Sequence, residues 1–245
     1  MLGFDTASLT SPGGRDENED SCDFRMNGQS GLWVLADGLG GHRGGEIASR
    51  LAVDTALASF AADSRVTPEM LAAHIERAHG AVLERQRTEP DLSGMRTTIV
   101  MLLASGEAAL WSHSGDSRLY WFRDGKLRGQ TKDHSVPQRL ADAGEIRPEQ
   151  IRFHEDRSRL LRSLGARQES GATSGAMAGK PEPGDAFLLA SDGFWEYVTE
   201  PEMEADLAAS ADPKAWLARM EARLRQRATP ESDNYSALAI RARGN

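Results

Sequence analysis

The chain has 245 residues, 39% of them hydrophobic and 27% charged, which is ordinary for a soluble globular protein and enough for one well-buried domain. Its formal net charge of −8 argues against a general nucleic-acid binder, and its longest apolar run, residues 99–104, is far too short to cross a bilayer. With Cys22 as the only cysteine, an intramolecular disulfide and a cysteine-rich zinc site are both excluded. The N-terminal residues show no basic segment followed by an apolar one, so a cytoplasmic location is expected and no membrane partner is.

In chain order, residues 4–8, 21–25 and 32–36 are predicted as strands, the first two joined by Ser11-Pro12-Gly13-Gly14-Arg15 and its acidic continuation. A helix over 46–61 places Ile47, Leu51, Val53, Ala56, Leu57 and Phe60 largely on one face, and Pro68 opens a second helix to about residue 86. Strands return at 97–105, 108–114, 118–123 and 126–130, with Ser105-Gly106-Glu107 and Asp124-Gly125 as turns, so their pairing is antiparallel. Residues 132–178 are more polar: a helix at 136–143, then a charge-rich surface excursion. After a strand at 186–190 come helices at 202–209 and 213–227 and a last strand at 235–241. No repeat or linker stands out, so one domain is expected. Strands and helices in blocks predict an α+β fold in which helices cover the outer faces of antiparallel sheets.

Five acidic clusters mark places where a strand ends and a loop begins: Glu19-Asp20, Asp37-Gly38, Asp116, Asp192-Gly193 and Asp233-Asn234. The run Leu32-Trp33-Val34-Leu35-Ala36-Asp37-Gly38 breaks from apolar strand into an Asp followed by glycine, and Ala186-Phe187-Leu188-Leu189-Ala190-Ser191-Asp192-Gly193 repeats the design. A buried strand holds its last residue rigidly, while glycine turns the backbone and leaves its carbonyl open to a ligand. Carboxylate and carbonyl oxygens suit hard divalent cations such as Mg²⁺ and Mn²⁺. A multi-metal hydrolase is the reading these clusters support, provided the fold brings them together.

The motifs Arg15-Asp16-Glu17-Asn18-Glu19-Asp20-Ser21, Asp37-Gly38-Leu39-Gly40-Gly41-His42, Gly94-Met95-Arg96-Thr97-Thr98, Gly115-Asp116-Ser117-Arg118, Ser191-Asp192-Gly193 and Asp233-Asn234 occur in an order that resembles the metal-dependent serine/threonine protein phosphatases, the protein phosphatase 2C family, in its bacterial form. The resemblance spans nearly the whole chain. It implies a single catalytic domain over 1–245, built as a central sandwich of two antiparallel β-sheets flanked by α-helices on both sides, with a flap at about 133–165. It implies two Mn²⁺ or Mg²⁺ ions and a third, weaker site. Asp37 would bridge two ions, with the Gly38 carbonyl on one of them and Asp192 and Asp233 completing the other. Glu19 and Asp20 would hold water in the outer shell, Asp116 would join Asp192 at the third site, and Arg15 would grip the phosphate. Arg15, Asp20 and Asp37 are thus the catalytic candidates.

The chemistry calls for such a set. Hydrolysis of a phosphate monoester dianion is among the slowest reactions known. Two cations ~3.5–4 Å apart neutralise the repulsion and lower the pKa of a shared water towards ~7. A planar, permanently charged guanidinium binds two phosphate oxygens at once, which lysine does not. Leu39 stands where animal members of the family carry a histidine thought to protonate the leaving oxygen; His42 does not inherit that role, and a water oriented by Asp20 or beside Asp116 is the expected donor.

The resemblance implies phosphorylated proteins as partners, a serine/threonine kinase whose action is reversed, and a monomer. A non-catalytic phosphoprotein-binding module on the same fold and a metal-dependent nuclease are the competing readings; the full carboxylate set opposes the first and the acidic balance the second. In the flap, Arg152, Arg157, Arg159 and Arg162 are candidates for contact with acidic or phosphorylated substrate, or for ion pairs within the loop. Thr97 and Thr98 are expected as strand residues and Asn234 as a prop for Asp233. His74 and His79 are expected at the surface or boundary of their helix, His113 packed in its strand and His42 supporting the glycine turn. The five tryptophans and Cys22 are assigned to packing.

Overall fold

The computed structural model describes residues 2–39, 44–166 and 169–244. Two antiparallel sheets lie face to face. The first is built from β1 (Leu2–Ser11), β7 (Arg118–Arg123), β8 (Lys126–Gln130), β10 (Ala186–Ala190) and β11 (Tyr235–Gly244), in the order β1-β11-β10-β7-β8. The second runs β2-β3-β5-β6-β9, from β2 (Asp20–Asn27), β3 (Ser30–Leu39), β5 (Ile99–Ala104), β6 (Ala109–Ser114) and β9 (Thr173–Ala176), with the two-residue β4 (Arg96–Thr97) paired to the end of β3.

Alternation of side chains along each strand explains why the central strands read as continuous apolar runs. Trp33, Leu35, Val100 and Leu102 of one sheet meet Leu119, Phe187, Leu189, Leu238 and Ile240 of the other in the layer between them. Their neighbours Leu32, Val34, Met101 and Leu103 point the other way, under α1 (Gly44–Ala62) and α2 (Pro68–Thr88). Leu188, Ala190, Ala237 and Ala239 likewise face α5 (Glu200–Ala208) and α6 (Pro213–Arg227). Four layers result, and the expected sandwich flanked by helices on both sides is the observed architecture.

Local sequence fixes the helix starts. Thr67 accepts from the Met70 amide with Pro68 in the first turn, and Asp212 accepts from the Ala215 amide ahead of α6. Thr199 and Glu202 form a capping box, which starts α5 at Glu200, two residues earlier than the apolar pattern suggested.

Four other expectations need correction. Residues 97–105 are not one strand: Thr98 leaves the ladder to donate its amide to the Asp37 carbonyl, separating β4 from β5. The polar excursion contributes strand β9, which pairs with β6, and a 3-10 turn at Pro148–Phe153. A short helix, α4 (Asp192–Trp195), begins at once after β10, so Asp192 sits in a helical first turn rather than in a loop. His74 and His79 are buried where α2 packs on its neighbours, with His74 Nδ1 bonded to Ser59 Oγ at 2.6 Å and His79 Nδ1 accepting from the Gly165 amide. The glycine turn with His42 lies outside the described residues. Among the described residues, no helix is long and apolar enough to cross a membrane.

Candidate active site

The acidic positions come from both sheets and meet at one end of the sandwich. Asp20 opens β2 and Asp37 lies directly opposite it near the end of β3. Asp192 follows β10, Asp233 precedes β11, and Asp116 sits in the turn between β6 and β7. β10 and β11 are hydrogen-bonded neighbours, which places Asp192 near Asp233. Asp37 and Asp192 are near enough for each to act on the other's charge.

Backbone clearance makes this convergence possible. A Cβ at Gly38 would lie 2.2 Å from the Gly45 carbonyl oxygen, so only glycine allows β3 to run this close to α1. Thr98 then locks the strand end: its hydroxyl accepts from the Asp37 amide at 3.0 Å and pairs with Ser117 Oγ at 2.7 Å. Ser191 donates to Asp20 Oδ2 at 2.8 Å while accepting from the Ser236 amide. Asn234 ties the Arg15 loop to β11: its amide nitrogen donates to the Pro12 and Glu17 carbonyls and its oxygen accepts from the Glu19 amide. The expected role of Asn234 as a prop for Asp233 is also seen, through its backbone N–H to Asp233 Oδ1 at 2.9 Å.

These carboxylates are poorly compensated. Burial raises the pKa of Asp37 and Asp116 well above the carboxylate range, with neighbouring aspartates adding to it. Burial pushes Asp20 up to about 7, partly offset by the Ser191 hydroxyl, and Asp192 up to about 6, with the Asp233 charge contributing. Glu19 is raised by burial and by Asp233. Asp20 Oδ1 is buried without a hydrogen-bond partner.

A hard cation is what this donor set fits: clustered oxygens, mutual repulsion and an orphaned carboxylate oxygen aimed inward. As the side chains stand, no three His, Cys, Asp or Glu among the described residues are drawn close enough together to hold an ion. Asp233 is turned to the rim, where it accepts from Arg15 Nη2 at 3.1 Å, and Asp192 accepts from the Gly193 amide at 2.6 Å. The backbone and its electrostatics converge; the outermost side chain would have to turn inward.

Sequence reasoning gave no role of their own to Ser191, Ser117 and Arg118, and assigned Trp195 to packing alone. The Arg118 guanidinium stacks 3.4 Å over the Trp195 ring, and Trp195 Nε1 donates to the Asp116 carbonyl at 3.0 Å, so a packed pair props the Asp116 turn. Residues 133–165, where a flap is expected, are tied at their base: Leu161 donates its amide to the His134 carbonyl and Val136 to that of Arg159. Arg152 is not free for substrate: it is buried, with its guanidinium bidentate on Glu200 and bonded to the Trp195 carbonyl. Arg157 pairs with Glu196 and Arg159 with Asp156, while Arg162 bonds only the Gly171 carbonyl among the described residues.

Residues 15–233 match the family model described as Protein phosphatase 2C. The serine/threonine protein phosphatase PstP of Mycobacterium tuberculosis is 37% identical over 189 residues, which cover 76% of this chain and 35% of that protein. This chain therefore spans about a third of that relative's length. The serine/threonine phosphatase stp of Listeria monocytogenes is 32% identical over 200 residues, covering 78% of this chain and 77% of that one. A crystal structure of the PstP catalytic domain in complex with two manganese ions superposes with a TM-score of 0.81 at 32% identity, covering 100% of both chains. The chain belongs to the protein phosphatase 2C family.

Proposed function

We propose that this chain hydrolyses phosphoserine and phosphothreonine esters in proteins, using two Mn²⁺ or Mg²⁺ ions. The observation that carries it is the meeting of carboxylates from both sheets at one edge, buried and uncompensated, with a guanidinium at their rim. Asp37, the Gly38 carbonyl, Asp192 and Asp233 would hold the two ions, Asp37 as the carboxylate shared between them. Glu19 and Asp20 hold outer-shell water. Asp116, adjoining Asp192, is the position for a third, weaker ion. When bound, the ions screen the phosphate charge and supply a water that is acidic near neutral pH.

The residues do the rest. Arg15 is exposed at the entrance and forks onto two phosphate oxygens, which fixes the ester for in-line attack. Releasing Arg15 to the phosphate requires Asp233 to turn from it towards the ions. Leu39 carries no proton, so Asp20 Oδ1, the free oxygen of a carboxyl whose other oxygen is held by Ser191, is the atom placed to orient the water that protonates the leaving serine or threonine. Water is the nucleophile, and no phosphoenzyme forms. The setting we propose is reversal of a serine/threonine kinase by a monomer acting in the cytoplasm; the serine/threonine phosphatases among the relatives support the substrate class.

The test is phosphate release from a phosphothreonine peptide by chelator-stripped protein, with Mn²⁺, Mg²⁺ or Ca²⁺ restored and Asp192→Ala in parallel. Turnover restored by Mn²⁺ or Mg²⁺ and lost in the variant is expected. Binding of phosphopeptides without turnover under every metal would make the chain a phosphoprotein-binding module instead.

A further inference from the structure

Beside the carboxylate edge lies a groove of about 310 Å³ lined by Leu39, Arg96, Leu160, Leu161 and Arg162. Its geometry follows from strand register. Leu39 and Arg96 are directly opposed across the β3–β4 ladder, so both side chains leave the sheet on the face that carries Asp37, two positions away. A diagonal pair of this kind sits roughly 7–8 Å apart. That distance matches about two residues of an extended peptide at ~3.3–3.6 Å each.

The far wall is held at the same place by backbone. Leu164 and Thr97 exchange hydrogen bonds at 2.8 and 3.3 Å, and Gln86 Nε2 donates to both the Met95 and Gly165 carbonyls. The wall segment therefore cannot drift from β4 without breaking three bonds: both between Thr97 and Leu164 and one of the two made by Gln86. Its Leu161 is exposed, one of the few large apolar side chains that are.

Charge is the distinctive feature. Arg96 is exposed and makes no ion pair or hydrogen bond with its side chain among the described residues, in a protein where most arginines are tied to a carboxylate. Arg162, across the groove, has no carboxylate partner among the described residues either. Two guanidiniums flank an apolar floor next to a phosphate-hydrolysing centre. We infer that this groove receives the substrate chain beside the phosphoresidue and that Arg96, with Arg162, selects substrates carrying an anionic group one to three residues from the scissile phosphate. Leu39 and Leu161 supply contact for the intervening backbone and side chain. The anion is a carboxylate of Asp or Glu or a second phosphate; a guanidinium serves both.

This inference rests on the phosphatase reading, and the test separates the two. Wild-type protein with Mn²⁺ is given an aryl phosphate and phosphothreonine peptides that differ only in the flanking residues: Glu, Ala, Lys, or a non-hydrolysable phosphonate. The expected kcat/KM ratio of Glu- to Ala-flanked peptide is about five- to tenfold, larger for the phosphonate and below one for Lys. Arg96→Glu is expected to invert the Glu-to-Lys order, Arg96→Lys to keep most of it, and Arg162→Glu to reduce it. Because each ratio is taken within one variant, a change in overall activity does not enter. Equal kcat/KM across the wild-type series, or a ratio unmoved by Arg96→Glu, overturns the inference while leaving the phosphatase intact. No turnover of any substrate, aryl phosphate included, brings down the hydrolase and the groove with it.

Discussion

Two charged regions lie on either side of Trp195, and they treat burial in opposite ways. On one side Arg118 and Asp133 are almost fully buried, joined by two bonds of 2.7 Å, with Tyr120 and Glu200 in reach and a second buried arginine, Arg152, on Glu200. Every charge there finds its opposite inside the protein. On the other side Asp20 and Asp116 are buried and Asp37 and Asp192 half-buried among one another, and among the described residues the one ion pair at this edge is that of Arg15 with Asp233, at the rim. The first arrangement is complete without help; the second stores repulsion that a bound cation relieves. Burying charge is compatible with either structure or function, and internal compensation is what tells them apart.

The largest way to break the comparison is to remove charge from the uncompensated side. Asp37→Asn is expected to lower kcat/KM for a phosphopeptide on the order of 10³-fold, because losing an ion's charge stabilisation is worth several kcal/mol. The same change should raise the thermal midpoint of chelator-treated protein, since it deletes a repelling carboxylate. A fall in that midpoint would mean Asp37 is structural.

Removing charge from the compensated side should do the reverse. Asp133→Asn leaves the buried Arg118 only the longer contact with Glu200, at a cost of about 3–5 kcal/mol in urea unfolding. The double change Arg118→Met with Asp133→Leu is expected to recover most of it, as apolar replacements of buried pairs often do. If the double variant is no better than the single, the pair contributes more than mutual compensation.

How far was this contrast legible in the sequence? The five acidic clusters were, because each marks a boundary between strand and loop, and at Asp37 and Asp192 the interrupted apolar run itself announces a strand buried on both faces. The compensating partners were not. Asn234 reaches Pro12, Glu17 and Glu19, and Ser191 reaches Asp20, contacts between residues some 170 to 220 positions apart that no local pattern encodes. β9 was missed for a local reason: Thr173-Ser174-Gly175-Ala176 carries no apolar alternation, and it pairs because Gly175 fits under the Trp111 ring, where a Cβ would lie 2.5 Å from Nε1. Arg152 was read as a solvent-facing flap charge because its partner, Glu200, belongs to a helix that starts only through its capping box.

Acid–base linkage sharpens the comparison further. Asp20 at about 7 and Asp192 at about 6 lie above their unfolded values near ~3.9, so the folded state holds more protons than the unfolded one between those limits. Their contribution to stability is fully present below pH ~4 and is lost as pH rises through 6 to 7. Metal-free protein is therefore expected to unfold more easily at pH 8 than at pH 5, by about 4 kcal/mol, and saturating Mn²⁺ to flatten the difference by binding the deprotonated form. Melts with chelator and with Mn²⁺ at both pH values decide it; equal chelator curves would mean the edge is less strained than its burial implies.

The smallest effect concerns the single cation at the rim. Arg15 pairs with Asp233 where both are about half exposed, so the pair itself contributes little to folding. Arg15→Lys keeps the charge but loses the fork, and should raise KM for a phosphopeptide by about tenfold while leaving the urea midpoint unchanged. Because the guanidinium is held by Asp233, the carboxylate proposed above as an ion ligand, the variant should also bind Mn²⁺ no more weakly than the parent in a direct titration of stripped protein. A lysine variant with normal KM would show that the phosphate is held by the ions alone, and that Arg15 serves only to neutralise Asp233 until they arrive.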